Sequence, residues 1–394
     1  MKVLIVHNEY VWTGGEETAV RNEVTALENR GHTVVTHVVS NKAISGVIAY
    51  ITSAISNLYN RRQEREIRDL VQRCKPDIVH VHNFFPQISP SVFYACRKEH
   101  VPSIHTLHNY RILCPSTTLF HDGELYWHGV NGKYLRVIWD AVYRNSRIAT
   151  FSVVASILLH RLLGTWAKVD RLIALSDFQK GVFDKTIHAK IEVLPHFSST
   201  SDQVVKSSTT RSNFHVYAGR LGSEKGILQL ISDWPDSEQL VILGDGPLAT
   251  EVERLCTNKE NLHWRGHVER EELLRTMREA KSVVVPSVLH ETFGLVVIES
   301  LSVGTPVLVN NMEPFRDLIV PGKTGELFNV GSKSSLHSAL QKIAHLDDAT
   351  RQRCLDQYEQ QYSEQIGVQK LETLMKTVIA EKHSSSTSKI PFAS

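Results

Sequence analysis

Two carboxylates eight residues apart, Glu291 and Glu299, stand in an otherwise apolar and glycine-marked stretch that runs from Val283 to Val307. The β-branched run before Pro286 predicts a buried strand ending at Pro286-Ser287, and the spacing of apolar residues predicts a helix from near Gly294. Were all nine residues helical, the carboxylates would lie about 12 Å apart along the axis at ~1.5 Å per residue, so they would not meet. With the helix starting at Gly294, Glu291 lies on a loop beyond a strand end and Glu299 lies one to two turns into the helix. Open α/β sheets bind ligands outside the carboxyl ends of their strands, and both groups can flank such a crevice. Gly294 lets the backbone approach a bound group closely, and the amides of Gly294 and Leu295 at a helix start suit an anion.

A second cluster has the same character. Ala218-Gly-Arg-Leu-Gly-Ser-Glu-Lys-Gly226 is a glycine-rich turn that places Arg220 and Lys225 five residues apart. Arg can fork onto two oxygens while Lys acts as a point charge, and such a pair suits a diphosphate. Leu243-Gly-Asp-Gly-Pro247 is a further turn at a strand end, where Asp245 reads as structural. Two histidine pairs, His80-x-His82 and His105-x-x-His108, raise the possibility of a metal. His80 and His82 sit on a predicted buried strand with no Cys or carboxylate at zinc-site spacing, so no metal is expected.

These residues need a scaffold, and the chain supplies two copies of one pattern. Lys2–His7 reads as a buried strand, Glu17–Arg30 as a helix closed by Gly31, and Val34–Val39 as the next strand. Further strands are expected at Ile78–His82, Ser103–Leu107 and Arg171–Leu175. The serine- and threonine-rich stretch from Ser198 to Asn213 reads as a linker. The pattern then restarts with strands at Phe214–Ala218, Gln239–Leu243, Ser282–Pro286 and Pro306–Asn310. Alternation of this kind predicts α/β domains with parallel sheets. The expected organisation is residues 1–197, linker 198–213, a second domain 214–363, a helix over 364–382 that packs back on the first domain, and a disordered tail over 383–394.

Composition narrows the classes of function. The 394 residues are 42% hydrophobic and 22% charged, as in a globular protein, and 44 Lys and Arg against 42 Asp and Glu leave a net charge of +2. That balance gives no global case for a nucleic-acid binder. Five scattered cysteines without a Cys-x-x-Cys pair read as reduced thiols, and the N-terminus reads as a strand rather than a secretory signal, so a cytoplasmic location is expected. Ala43–Asn60 is too polar and Ile148–Leu159 too short to span a bilayer. The segment Tyr134–Arg161 mixes aromatics, cations and apolar residues, and has two readings: a helix pair that docks on the membrane surface, or an amphipathic pair packed on the core.

Taken together, the motifs resemble glycosyltransferase family 4, whose members are retaining sugar-nucleotide enzymes with two facing Rossmann-like domains, the GT-B architecture. The resemblance rests on Glu291-x7-Glu299 followed by Gly304-Thr-Pro-Val307, and on Gly219-Arg220-Leu221 with Glu224-Lys225-Gly226. It also rests on Gly244-Asp-Gly-Pro247 and Gly266-His267-Val268, and on Gly14-Gly15-Glu16 and Thr106–Pro115 in the first half. It implies that Arg220 and Lys225 hold the donor diphosphate with the amides of Gly15, Gly294 and Leu295. It further implies that Glu299 bonds the ribose, that Val268 meets the base through its backbone, that Glu291 contacts the transferred sugar, and that His108 reaches that sugar from the first domain. The implied reaction is hexosyl transfer with retention, without a metal or other cofactor. The implied setting is cell-surface polysaccharide or glycolipid assembly, with a glycan or lipid-linked acceptor and peripheral contact with the inner membrane surface. Donor nucleotide stays open between uridine and guanosine. Departures are His196-Phe197 after Pro195, where relatives commonly carry Asn, and Ser302-Val303 at the end of the Glu299 helix. Rival readings are an epimerase or phosphorylase of the same fold, a non-catalytic nucleotide-sugar-binding subunit, and an NAD-dependent oxidoreductase. Against the last, neither half has Gly-x-Gly-x-x-Gly after its first strand.

Overall fold

A computed structural model describes residues 1–9, 14–41, 56–199, 212–347 and 349–387. The chain divides into two compact units: residues 1–121, 126–195 and 367 onward form the first, and residues 122–125 and 196–366 the second.

The first unit holds a six-stranded parallel sheet of β1 (Lys2–Glu9), β2 (Thr33–Ser40), β3 (Ile78–Val81), β4 (Ser103–Thr106), β5 (Arg171–Ala174) and β6 (Ile191–Val193). Their order is β2-β1-β3-β4-β5-β6. Around the sheet lie α1 (Gly15–Asn29), α2 (Arg61–Cys74), α3 (Ser91–Lys98), α4 (Tyr134–Trp139), α5 (Arg147–Leu162) and α6 (Asp177–Asp184). The central strands are buried on both faces, with Leu4, Val6, Val79, Val81 and Leu172 inaccessible to solvent. This is why they read as continuous apolar runs rather than alternating ones.

The second unit repeats the plan with β7 (Phe214–Ala218), β8 (Gln239–Leu243), β9 (Leu262–Trp264), β10 (Val283–Val285), β11 (Val307–Asn310) and β12 (Gly325–Phe328). All are parallel and run in the order β9-β8-β7-β10-β11-β12. Its helices are α7 (Ile227–Asp233), α8 (Ala249–Thr257), α9 (Arg270–Glu279), α10 (Leu295–Ser302), α11 (Lys333–Ala344) and α12 (Thr350–Gln361). The long α13 (Glu364–Thr387) follows, and from Gly367 it belongs to the first unit. The strand order reverses between β1 and β3 in one sheet and between β7 and β10 in the other, and doubly wound sheets form crevices at such points. The α/β class with two parallel Rossmann-like sheets, the GT-B type, is what the sequence predicts.

Several expectations need correction or comment. The tail from His383 is helical as far as Thr387, because the serines extend a helix already nucleated by the buried residues upstream. Most of the expected linker and the rest of the tail lie outside the described residues, as does much of Ala43–Asn60. At the linker's first residue, Ser198 bridges to Ser363. Among the described residues no helix is long and apolar enough to cross a membrane.

Candidate active site

In the second unit the loops after β7 and β10 touch through backbone. Gly226 has φ +69°, and a Cβ there would stand 2.1 Å from the Pro286 carbonyl oxygen, so only glycine lets the two loops close up. The Val288 amide donates to the Glu224 carbonyl at 3.0 Å, which fixes the same pairing. Lys225 Nζ then reaches Glu291 Oε1 at 2.5 Å, and Ser287 Oγ donates to the same oxygen at 2.8 Å. Burial alone would raise the Glu291 carboxyl, but Lys225, the Ser287 hydroxyl and Arg220 hold it below its ordinary range. Arg220 pairs with Glu224 one helical turn on, and its guanidinium stays half exposed.

The helix predicted from near Gly294 is α10, with Gly294 as its left-handed N-cap at φ +119°. A Cβ at that position would lie 2.9 Å from the Phe315 ring. Glu299 is buried on α10 and does not stand bare. Arg270 Nη1 donates to Glu299 Oε1 at 2.5 Å, while Arg270 Nη2 donates to Ser198 Oγ at 2.9 Å and to the Ser199 carbonyl at 3.1 Å. Burial outweighs Arg270 here and pushes the Glu299 carboxyl up. One carboxylate of the pair is therefore held ionised and the other is driven toward neutrality. Val268 is half-buried, two residues past Gly266, whose carbonyl accepts from the Gly244 amide at 2.7 Å. The Gly246 amide donates to Asp245 Oδ1 at 2.7 Å, and the Leu221 amide donates to the Asp245 carbonyl at 2.9 Å.

In the first unit Gly15 opens α1, and the preceding Gly14 amide donates to Glu17 Oε2 at 2.9 Å. His108 follows β4 and makes a 2.9 Å contact between its Nε2 and His82 Nδ1. His82 Nε2 in turn lies 3.3 Å from Glu23 Oε1, and His80 Nδ1 lies 2.6 Å from that oxygen. His80 and His82 share a face because side chains two apart on a strand point the same way. Beside them, His7 is driven down to about 4 by burial and by His82. Arg111 stacks its guanidinium 3.8 Å from the Phe85 ring centroid. A small pocket is lined by His82, Asn83, Phe85, His108 and Arg111.

Glu23, His80 and His82 are the one set of three potential metal ligands among the described residues. The contact between His80 Nδ1 and Glu23 Oε1, at 2.6 Å, is the shortest printed within the set.

Seven of the nine expected site residues (Arg220, Lys225, Val268, Glu291, Gly294, Leu295 and Glu299) thus belong to the second unit and follow strand ends. Gly15 and His108 belong to the first. Sequence reasoning missed Arg270, which no local spacing ties to Glu299. It also missed Glu23, whose signal was available: a carboxylate inside the apolar stripe of Val20, Val24 and Leu27 on a helix that must face the sheet. Asn8 was missed as well. Its side-chain amide donates to Val39 O and Asn41 Oδ1 and accepts from the Gln87 backbone amide, each at 2.9 Å, tying the ends of β1 and β2 to the loop after β3.

Residues 13–201 match the model of Glycosyltransferase Family 4, and residues 199–361 match that of Glycosyl transferases group 1. The chain belongs to the family 4 glycosyltransferases. It is 25% identical over 290 residues to the Arabidopsis thaliana sulfoquinovosyl transferase SQD2, an alignment covering 72% of this chain and 52% of that protein. The chain spans about half the length of the first curated relatives it matches. It is 24% identical over 295 residues to the Acholeplasma laidlawii alpha-monoglucosyldiacylglycerol synthase, covering 71% of this chain and 69% of that one. Among solved structures, Anabaena HepE in complex with UDP superposes with a TM-score of 0.64 at 14% identity, over 96% of this glycosyltransferase and all of HepE.

Proposed function

We propose that this glycosyltransferase moves a hexosyl group from a nucleoside-diphosphate sugar to an acceptor with retention, in assembling a cell-surface polysaccharide or glycolipid. The observation that carries the reading is the Lys225–Glu291 contact at the paired ends of β7 and β10. It puts a cation for the diphosphate beside a carboxylate for the sugar, next to the N-terminus of α10. In this reading Arg220 and Lys225 bind the diphosphate together with the amides of Gly15, Gly294 and Leu295. Glu299 bonds the ribose, Val268 meets the base through its backbone, and Glu291 and His108 contact the sugar. The bond from the anomeric carbon to the acceptor oxygen forms on the face from which the phosphate departs. The acceptor's proton passes to the departing phosphate oxygen, so no enzyme nucleophile is needed. Catalysis is then positioning plus stabilisation of the leaving charge, and the cations and amides supply that stabilisation without a metal. HepE's complex with UDP supports a nucleotide donor of this kind.

Thermal shift across nucleotides and nucleotide sugars identifies the donor. A Glu291→Gln variant is expected to keep donor-induced stabilisation and lose transfer. Full activity in that variant would remove the role given to Glu291, and loss of donor-induced stabilisation would favour a binding role instead.

The acceptor side favours a membrane surface. The inner faces of α4 and α5 are core, with Val137, Val153, Val154 and Ile157 buried. Their outer faces carry Leu135, Ile148 and Leu162, each at least 85% exposed, with Trp139 and Phe151 at 60% or more. Arg136, Arg144 and Arg147 lie among them, Arg147 stacking 4.2 Å over the Trp139 ring. Apolar anchors ringed by cations match an anionic bilayer. The A. laidlawii relative, named for a diacylglycerol product, is in keeping with such an acceptor. Co-sedimentation with anionic liposomes is expected to fall when the three arginines are neutralised, and unchanged binding would discard the contact.

A further inference from the structure

Glu299 is held by a residue to which no role has yet been given. Arg270 opens α9, two residues past Val268 on the connection that follows β9. Its guanidinium bridges two separate parts of the second unit. Nη1 donates to Glu299 Oε1 at 2.5 Å, while Nη2 donates to Ser198 Oγ at 2.9 Å and to the Ser199 carbonyl at 3.1 Å.

Both ends of that bridge are anchored. Ser198 is 1% exposed; its amide donates to the Tyr362 carbonyl at 3.2 Å, and its own carbonyl accepts from the Tyr358 hydroxyl at 2.5 Å. Near the far end of α9 the Met277 carbonyl accepts from the Thr305 hydroxyl at 2.8 Å, which ties this helix to the turn after α10, the helix that carries Glu299. A planar guanidinium fixed on two sides has given up its rotamer freedom before a ligand arrives, so it presents the carboxylate in one orientation. Burial pushes the Glu299 carboxyl up and Arg270 draws it back. A carboxylate has about four lone-pair sites, so the bond to Oε1 leaves acceptor capacity for hydroxyl groups.

We infer that Arg270 is a positioning residue for the donor's ribose: braced against Ser198 and Ser199, it orients Glu299 so that the carboxylate accepts from the ribose hydroxyls. This rests on the ribose-binding role proposed for Glu299. The geometry asks for arginine, since two nitrogens of one planar group serve two partners at once, whereas the single ammonium of a lysine carries the charge without that fork. The ligand class that follows is a ribonucleoside diphosphate. A nucleotide without the ribose hydroxyls loses what Arg270 secures and keeps the diphosphate contacts.

Nucleotide binding tests this without an acceptor. The probes are UDP and GDP with their 2′,3′-dideoxy counterparts, titrated into the full chain by calorimetry. For the diphosphate that binds, the wild type is expected to prefer the ribose form by about tenfold or more, the range for hydrogen bonds to a charged group. Arg270→Met is expected to cut that preference to about threefold or less, with the dideoxy affinity changed less than about twofold. Arg270→Lys should fall between the two, and Ser198→Ala, which removes one brace, should lower the preference by about twofold. An unchanged preference in Arg270→Met overturns the inference, and so does an equal loss of affinity for both forms, the mark of a merely structural arginine. Where Arg270→Met does not fold, a wild-type preference in both Arg270→Lys and Ser198→Ala overturns it instead. Glu299→Gln separates the two claims. If that variant keeps the wild-type preference, or the wild type has none, the ribose role of Glu299 falls and the inference with it; if Glu299→Gln loses the preference and Arg270→Met keeps it, only the inference falls.

Discussion

The two units solve one geometric problem with opposite chemistry. Both place their polar residues at the carboxyl ends of parallel strands beside a reversal of strand order. In the second unit those ends carry half-exposed cations, glycine-permitted backbone contacts and the start of α10. In the first, buried His7, His80 and His82 stand on or just after the strands, with the buried Glu23 of α1 beside His80 and His82. The scaffold fixes where polar side chains gather, and the side chains fix the chemistry found there. Lys225 keeps 27% of its side chain in solvent while its carboxylate partner keeps 18%, so the cation has an open side although the pair is made.

The sharpest way to break this contrast is to remove the cation. Lys225→Ala deletes the charge proposed to stabilise the departing diphosphate and strips Glu291 of its main counter-charge. Transfer is expected to fall about 100- to 1,000-fold in kcat, the range for losing one preorganised donor to a developing oxyanion. Steady-state kinetics with the donor found by thermal shift checks it, and a loss under tenfold would mean that Arg220 and the amides suffice.

A smaller effect separates the two carboxylates of the second unit. Arg270→Met leaves Glu299 buried without its partner. The Glu299 carboxyl is already raised in the folded state, mainly by burial and only partly offset by Arg270, and the variant raises it further. A carboxyl raised on folding contributes stability below its unfolded pKa of about 4.3, and that contribution is lost as pH rises through the folded value. The variant's deficit should therefore be smallest near pH 4 and widen toward pH 8, reaching on the order of 5 °C in Tm. Scanning calorimetry at several pH values measures it, and a deficit independent of pH would show that Arg270 acts through Ser198 rather than Glu299.

How much of this was legible in the sequence follows from what sequence encodes. The central strands and α10 are apolar runs or periodic faces bounded by glycine and proline, so they stand out. The strands not anticipated, β6, β9 and β12, all lie at sheet edges. There Ile-Glu-Val and Leu-His-Trp bury only part of their surface, Gly-Glu-Leu-Phe buries its glutamate, and none carries a continuous apolar signal. The site divides likewise. Residues bound to a strand end by a few positions, such as Arg220, Lys225, Glu291 and Gly294, were readable from spacing. Pairings made only when distant segments fold together, Arg270 with Glu299 and Glu23 with His82, were not, since no local period links residue 23 to residue 82.

The mildest test concerns what holds the first unit's sheet to its last helix. Glu372, on the part of α13 that belongs to this unit, accepts from Arg30 Nε and Nη2, each at 3.1 Å, and lies 2.7 Å from His32 Nε2. These two residues stand at and just after the end of α1, the helix that carries Glu23. Arg30's hydrogen bonds, then His32, hold the Glu372 carboxyl at about 2 against the upward pull of burial. A carboxyl depressed on folding adds stability above its unfolded pKa of about 4.3, and this is lost as pH falls through the folded value. Because Arg30 is 41% exposed, screening trims the gain, and Glu372→Gln should lower Tm by only roughly 2–4 °C at pH 7. The difference from wild type should shrink between about pH 4 and pH 2. If it instead persists at pH 2, the helix is held by its buried Val368, Leu371, Met375 and Val378, and the ion pair is incidental.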